Sequence, residues 1–169
     1  MNQPTVNRAE LEDFIYREAD LADDWQLEQW LALWATGPLL YEIGPLDTPR
    51  GDRISVDEAM FLLSDDRFRL EQRIVRLGKP TAHAETPVRS RLRHSYTHLR
   101  DIQVDGEDIR FRVNLLLTRT RRDAEGVAVI PGYVTWRLVR ADGALRIREK
   151  RIFLDLHVLS RPGTLAFII

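Results

Sequence analysis

The order of apolar and polar positions divides the chain in two. Up to about residue 87, apolar residues recur at intervals of three and four, the mark of amphipathic helices. From Val88 onward they alternate with polar residues, the mark of strands with one buried face. Asn7 followed by Glu10 predicts a capped first helix, with Leu11, Phe14, Ile15, Ala19 and Ala22 facing inward and Glu12, Asp13, Arg17 and Asp20 facing out. Asp23, with Gln26 three residues on, predicts a second helix that gathers Leu27, Trp30, Leu31 and Trp34. Gly37-Pro38 ends it, and residues 39–43 form a short strand closed by Gly44-Pro45. Ser55 and Glu58 cap a third helix through Leu63, and a fourth runs from about Asp66 to Leu77.

The alternating segments 88–104, 109–121, 127–140 and 145–158 are separated by Asp105-Gly106, residues 123–126 and Asp142-Gly143, all turn chemistry. Phe111, Val113, Leu115 and Leu117 alternate with Arg110, Arg112, Asn114 and Thr118, so one face of the sheet is buried. In the last segment the apolar set changes parity, from Leu145 and Ile147 to Ile152, Leu154, Leu156 and Val158. A bulge or bend near Glu149-Lys150 is the expected cause. Helices followed by a meander of long antiparallel strands make an α+β fold, with the helices packed into a curved sheet as a cone.

At 169 residues one domain, 1–169, is expected. The N-terminus has no basic region followed by an apolar run, and no apolar run approaches the ~20 residues that span a bilayer, so the expectation is a cytoplasmic protein without membrane contact. The net charge of −1 hides an asymmetry. Residues 1–87 carry 9 basic and 17 acidic residues, and residues 88–169 carry 16 and 9, giving balances of −8 and +7. Acidic helices laid across a basic sheet account for this; so does a basic face that docks an acidic partner.

Candidate chemistry is sparse. With no cysteine, the chain cannot supply a thiolate nucleophile or ligate an iron–sulfur cluster by cysteine. Phosphate-binding glycine loops and a nucleophile elbow are absent from the sequence. Of the four histidines, His94 and His98 share a face if one regular strand holds both. At about 3.3 Å per residue they then sit roughly 13 Å apart, too far to share one metal. His83 and Glu85 are marginally spaced, and His157 stands alone. His94 or His98 beside a carboxylate could serve acid–base catalysis in the mouth of the cone, which suits a small dehydratase or isomerase. Arg89, Arg91 and Arg93 alternate along one strand face. The mild charge and inward tryptophans argue against nucleic acid, so this ladder and the adjoining His94 are candidate subunit contacts. The apolar tail ending in Phe167, Ile168 and Ile169 is another, to be tucked onto this domain or a second subunit.

These residues also carry a resemblance. Asp65-Asp66, Leu70, Arg73-Ile74 and Arg76-Leu77, then Ala84-Glu85-Thr86-Pro87, Ser90-Arg91 and Arg93-His94, follow an ordered pattern. Trp30-Leu31-Ala32-Leu33 before Tyr41, Gly132-Tyr133 and Leu154-Asp155 continue it. The pattern resembles the β (small) subunits of bacterial aromatic-ring-hydroxylating dioxygenases across essentially the whole chain. Tyr96-Thr97-His98 departs from it, since relatives often have a small residue and then Asn there. The resemblance implies a cystatin-like, NTF2-like cone and a non-catalytic scaffold that needs no cofactor of its own. The implied partner is an α subunit with a Rieske [2Fe–2S] cluster and a mononuclear iron, fed by NAD(P)H through a reductase. The implied assembly is three α and three β subunits, with the β chains associating as a trimer. The readings that compete with it are the stand-alone His–carboxylate enzyme and a bare binding module.

Overall fold

The computed structural model describes residues 6–45, 61–81, 85, 88–122, 125–157 and 167–169. Its elements run α1 (Arg8–Asp23), α2 (Leu27–Leu31), β1 (Leu40–Ile43), β2 (Leu63–Asp65), α3 (Arg67–Leu77), β3 (Arg91–Asp105), β4 (Asp108–Thr120), β5 (Ala128–Ala141) and β6 (Ala144–Leu154). The strands form one sheet in the order β2-β1-β6-β5-β4-β3. All neighbours pair antiparallel except β1 with β6, which run parallel.

The Asn7 carboxamide accepts the Ala9 N–H at 3.0 Å, as a cap should. Glu10 does not complete the box; its carboxylate pairs with Arg140 at 2.9 Å. The second helix is shorter than its spacing predicts. Asp23 closes α1 instead of opening α2, and Trp34 leaves the helix to bridge Ile147 in parallel. The expected third helix starts in residues 55–60, outside the described residues, and Leu63 opens β2 instead of closing that helix. Asp66 caps α3, accepting the Arg69 N–H at 2.9 Å.

The sheet buries the residues its alternation selects. Phe111, Val113, Leu115 and Leu117 pack with Trp30, Trp34, Trp136 and Tyr41 in the core. A bulge lies where the parity changes: Arg137 opposes Glu149 while Leu138 opposes Ile147, leaving Arg148 as the extra residue. Two further irregularities, after Thr97 and after Arg100, have no counterpart in the alternation; His98 and Asp101 there take positive φ of 55° and 58°. Gly132 is required by close approach, because a Cβ there would collide with the Phe153 carbonyl oxygen.

β3 is a sheet edge, and α1 with the residues after it blunts that edge. The Arg8 guanidinium donates to the Leu99 carbonyl at 2.7 Å, and the Trp25 indole N–H to the Ser90 carbonyl at 3.0 Å. The Asp23 carboxylate accepts the His94 backbone N–H at 3.1 and 3.2 Å.

Candidate functional site

The interior of the cone holds charge. On α1, Leu11, Ile15, Glu18 and Ala22 recur at helical spacing, so Glu18 lies within the apolar stripe and is fully buried. On β6, the bulge at Arg148 turns Lys150 inward with Ile152 and Leu154. The two meet with Nζ 2.6 Å from Oε1, both side chains 0% exposed. The Trp30 indole N–H donates to the same oxygen at 2.6 Å, and the Tyr96 hydroxyl to Oε2 at 3.1 Å. Lys150 also donates to the Tyr96 oxygen at 3.1 Å and lies 4.8 Å from the centre of the Trp136 ring.

A buried ammonium survives only if its donors are used and its counter-ion is close. Here a carboxylate, a hydroxyl and an aromatic face meet it. Burial still pushes the Lys150 ammonium below its usual range, and the Glu18 charge pulls it part of the way back. Burial, reinforced by the Glu18 charge, holds the Tyr96 phenol well above its usual value. Tyr41 is raised too by burial, although its contact with the Ile169 backbone opposes the shift.

Beside this network His94 meets a carboxylate, that of Asp23, with Nδ1 2.6 Å from Oδ1. Asp23 is thereby occupied: it takes the His94 ring, the His94 N–H and, at 3.6 Å, the Arg93 guanidinium. The His94 side chain is 0% exposed and its Nε2 has no hydrogen-bond partner. A dyad without access to solvent cannot meet a substrate. Open space lies elsewhere: a groove of about 800 Å3 between α2 and α3, and a pocket of about 280 Å3 on the outer sheet face.

His98 does not share the face of His94. The irregularity after Thr97 rotates it outward, where its Nδ1 meets Thr97 Oγ1 at 3.3 Å beside a crevice of about 60 Å3. His157 is exposed, and His83 lies outside the described residues. Among the described residues, no group of three His, Asp or Glu could hold a metal ion.

The arginine ladder is exposed throughout. Arg89 lies 5.1 Å over the Trp25 ring, Arg91 pairs in register with Thr120, and Arg93 with Thr118. Below the ladder sits a buried anchor that sequence reasoning missed. Glu85 accepts the Ser90 N–H at 2.7 Å and its hydroxyl at 3.1 Å, and it pairs with the Arg119 guanidinium. Arg119 in turn lies 4.8 Å over the Phe167 ring. Phe167, Ile168 and Ile169 are buried in their own chain, with the Ile169 N–H donating to the Tyr41 hydroxyl at 3.1 Å. The tail spends its apolar surface inside the fold, and the ladder is what faces outward.

The inward turn of Glu18 and Lys150 was also missed, although both had a signal. Glu18 continues the Leu11–Ile15 stripe, and Lys150 has the parity of Ile152 and Leu154.

Comparison with known proteins agrees with this architecture. The family model for the ring hydroxylating beta subunit matches residues 17–161. The p-cumate 2,3-dioxygenase system small oxygenase component of Pseudomonas putida is 41% identical over 164 residues, 97% of this chain and 88% of that protein. The β subunit of benzoate 1,2-dioxygenase from Burkholderia mallei superposes with a TM-score of 0.72 at 22% identity, covering 91% of this chain and 93% of that one. An NTF2-like protein with a cystatin-like fold from Novosphingobium aromaticivorans superposes at 0.57 and 16% identity, over 96% and 88%. The fold is therefore the cystatin-like, NTF2-like α+β cone, and the chain belongs to the family of ring-hydroxylating dioxygenase β subunits.

Proposed function

We propose that the chain is the non-catalytic structural subunit of a multicomponent ring-hydroxylating dioxygenase and acts by holding its α-subunit partner in an active assembly. One observation carries this reading: the interior where a cone-shaped enzyme would keep its pocket is filled by the Glu18–Lys150–Tyr96 network under Trp30 and Trp136. Among the described residues, the Glu18–Lys150 and Asp23–His94 pairs engage each other inside the fold and their side chains are sealed from solvent. That observation disfavours the stand-alone dehydratase or isomerase reading.

A Rieske cluster and a mononuclear iron belong, on this reading, to the α subunit. This chain does not fit either: it has no cysteine, and its described residues offer no three-ligand group. NAD(P)H electrons would reach the partner through a reductase. Three α and three β subunits, in the cytoplasm, complete the proposal. No helix among the described residues is long and apolar enough to cross a membrane. The 41% relative acts in a p-cumate system, so p-cumate is the first aromatic substrate to assay.

The test is co-expression with a Rieske α subunit. The reading expects a joint complex by light scattering and aromatic turnover that neither chain gives alone. Turnover by α at full rate without this chain would overturn it.

A further inference from the structure

Phe167, Ile168 and Ile169 are seated in the fold at two points on different strands. The Phe167 ring lies 4.8 Å from the Arg119 guanidinium on β4, which also pairs with the buried Glu85. Ile169 lies against β1: its N–H donates to the Tyr41 hydroxyl at 3.1 Å, and that hydroxyl stands 3.4 Å from its carbonyl oxygen. Tyr41 packs edge-on against Trp30 and Trp34, with ring centres 5.9 and 6.0 Å away. The three tail residues are 2%, 1% and 0% exposed, yet none of them belongs to a helix or strand. Among the described residues, their hydrogen bonds are those of Ile169 with Tyr41. A segment held this way can leave without breaking a strand ladder. The seat it fills has the make-up of a ligand site, with aromatic walls and two polar groups at fixed points. A guanidinium lies over a ring at one point, and a phenol meets an amide at the other. Two residues of chain span at most about 7 Å, which limits the distance between the two points along the tail.

We propose that Phe167–Ile169 is an internal plug in a latent binding site of the cone, and that a small molecule with an aromatic ring and an amide takes the seat when the plug is withdrawn. The tail itself defines the ligand class. The ring replaces Phe167 beside Arg119, and the amide replaces the Ile169 backbone at Tyr41. Trp30 ties the seat to the interior network, because its ring meets Tyr41 edge-on and its N–H donates to Glu18. The inference goes beyond the assembly reading. A plugged cone and an open one scaffold an α subunit alike, so either reading can fail without the other.

A chain ending at Ala166 tests it, with binding followed by calorimetry and thermal melting. By circular dichroism it should fold, and it should melt below the unaltered chain. It should bind the peptide acetyl-Phe-Ile-Ile and the small amide N-benzylacetamide about ten-fold or more tightly than the unaltered chain does, and each should raise its melting temperature. Tyr41→Phe in the shortened chain should weaken both by about five-fold, since the amide loses its partner. Phe167→Ala in the full chain vacates the ring position alone and should admit toluene, which the unaltered chain excludes. A shortened chain that stays unfolded with and without the peptide makes the tail an inseparable part of the core and overturns the plug. A folded shortened chain that leaves either probe unbound, or binds both as tightly after Tyr41→Phe, overturns it too. So does a folded Phe167→Ala chain that excludes toluene.

Discussion

Two charged regions of the molecule contrast. Inside the cone, Glu18, Lys150 and Tyr96 form one hydrogen-bonded cluster and His94 and Asp23 a second, both shut away from water. On the outer sheet face, Arg91 and Arg93 stand in solvent beside exposed Leu116 and Val129. Charged side chains do opposite things in the two places. Buried charges that pair with one another fix one arrangement of helix against sheet and are out of reach of substrate. Exposed charges beside apolar side chains add little to the stability of their own chain and are available to another. On the proposed reading, chemistry-bearing residues serve structure on the inside of this chain, and contact with a partner falls to the outside.

The sharpest way to break the contrast is to remove one buried partner. Lys150→Met leaves the Glu18 carboxylate buried without its cation and should cost about 3–5 kcal/mol in urea unfolding. Adding Glu18→Leu should recover most of that loss, because a well-packed apolar pair often equals a buried ion pair. A double variant as unstable as the single one would show that the pair contributes net stability.

Next in size is Gly132→Ala, whose methyl meets the Phe153 carbonyl and forces β5 from β6 at a cost of about 1–3 kcal/mol. Thermal melting reads it.

The pH dependence of stability separates the interior groups by sign. Tyr96 and Tyr41 are raised in the fold, so they stay protonated where the unfolded chain ionises. Their contribution is whole below about pH 10 and is lost as pH rises beyond it. Lys150 is lowered, so the unfolded chain holds more protons between the lowered value and about 10.4, and rising pH increases stability across that window. Tyr96→Phe should flatten the alkaline loss, whereas Lys150→Met should remove the preceding gain. Unfolding midpoints from pH 8 to 11 check both.

The smallest effects belong to the surface. Asn7→Ala should cost about 1 kcal/mol through the lost cap on Ala9. Arg91→Ala, in the ladder of candidate subunit contacts, should change the stability of the isolated chain by no more than about 0.5 kcal/mol. That small effect on folding is what the contrast predicts for the outer face.

The fold is largely legible in the sequence because its signals are local. The switch from a 3.6 to a 2 period sets the helix-to-sheet boundary, and the parity change in β6 gives the bulge at Arg148 to within a residue or two. Leu63 and the end of α2 depart from expectation because helix caps and apolar spacing do not encode which backbone will be captured by a strand; Ile147 captures Trp34, and Ile43 pairs with Leu63. The two irregularities in β3 leave no parity signal strong enough to read, so His98 turns away from the face that a regular strand would give it. The His94 partner is invisible for another reason: Asp23 lies 71 residues away, and only the docking of α1 along β3 joins them. Glu18 and Lys150 escape notice because charged residues are rarely fully buried, even though both keep the spacing of their apolar neighbours.

The most direct test of the central claim is the turnover of p-cumate per α subunit in a reconstituted complex whose small subunit carries Glu18→Leu and Lys150→Met. With the complex intact by light scattering, the expected rate equals that of the unaltered complex. A fall of a hundred-fold or more in an intact complex would place chemistry inside this chain and contradict the claim.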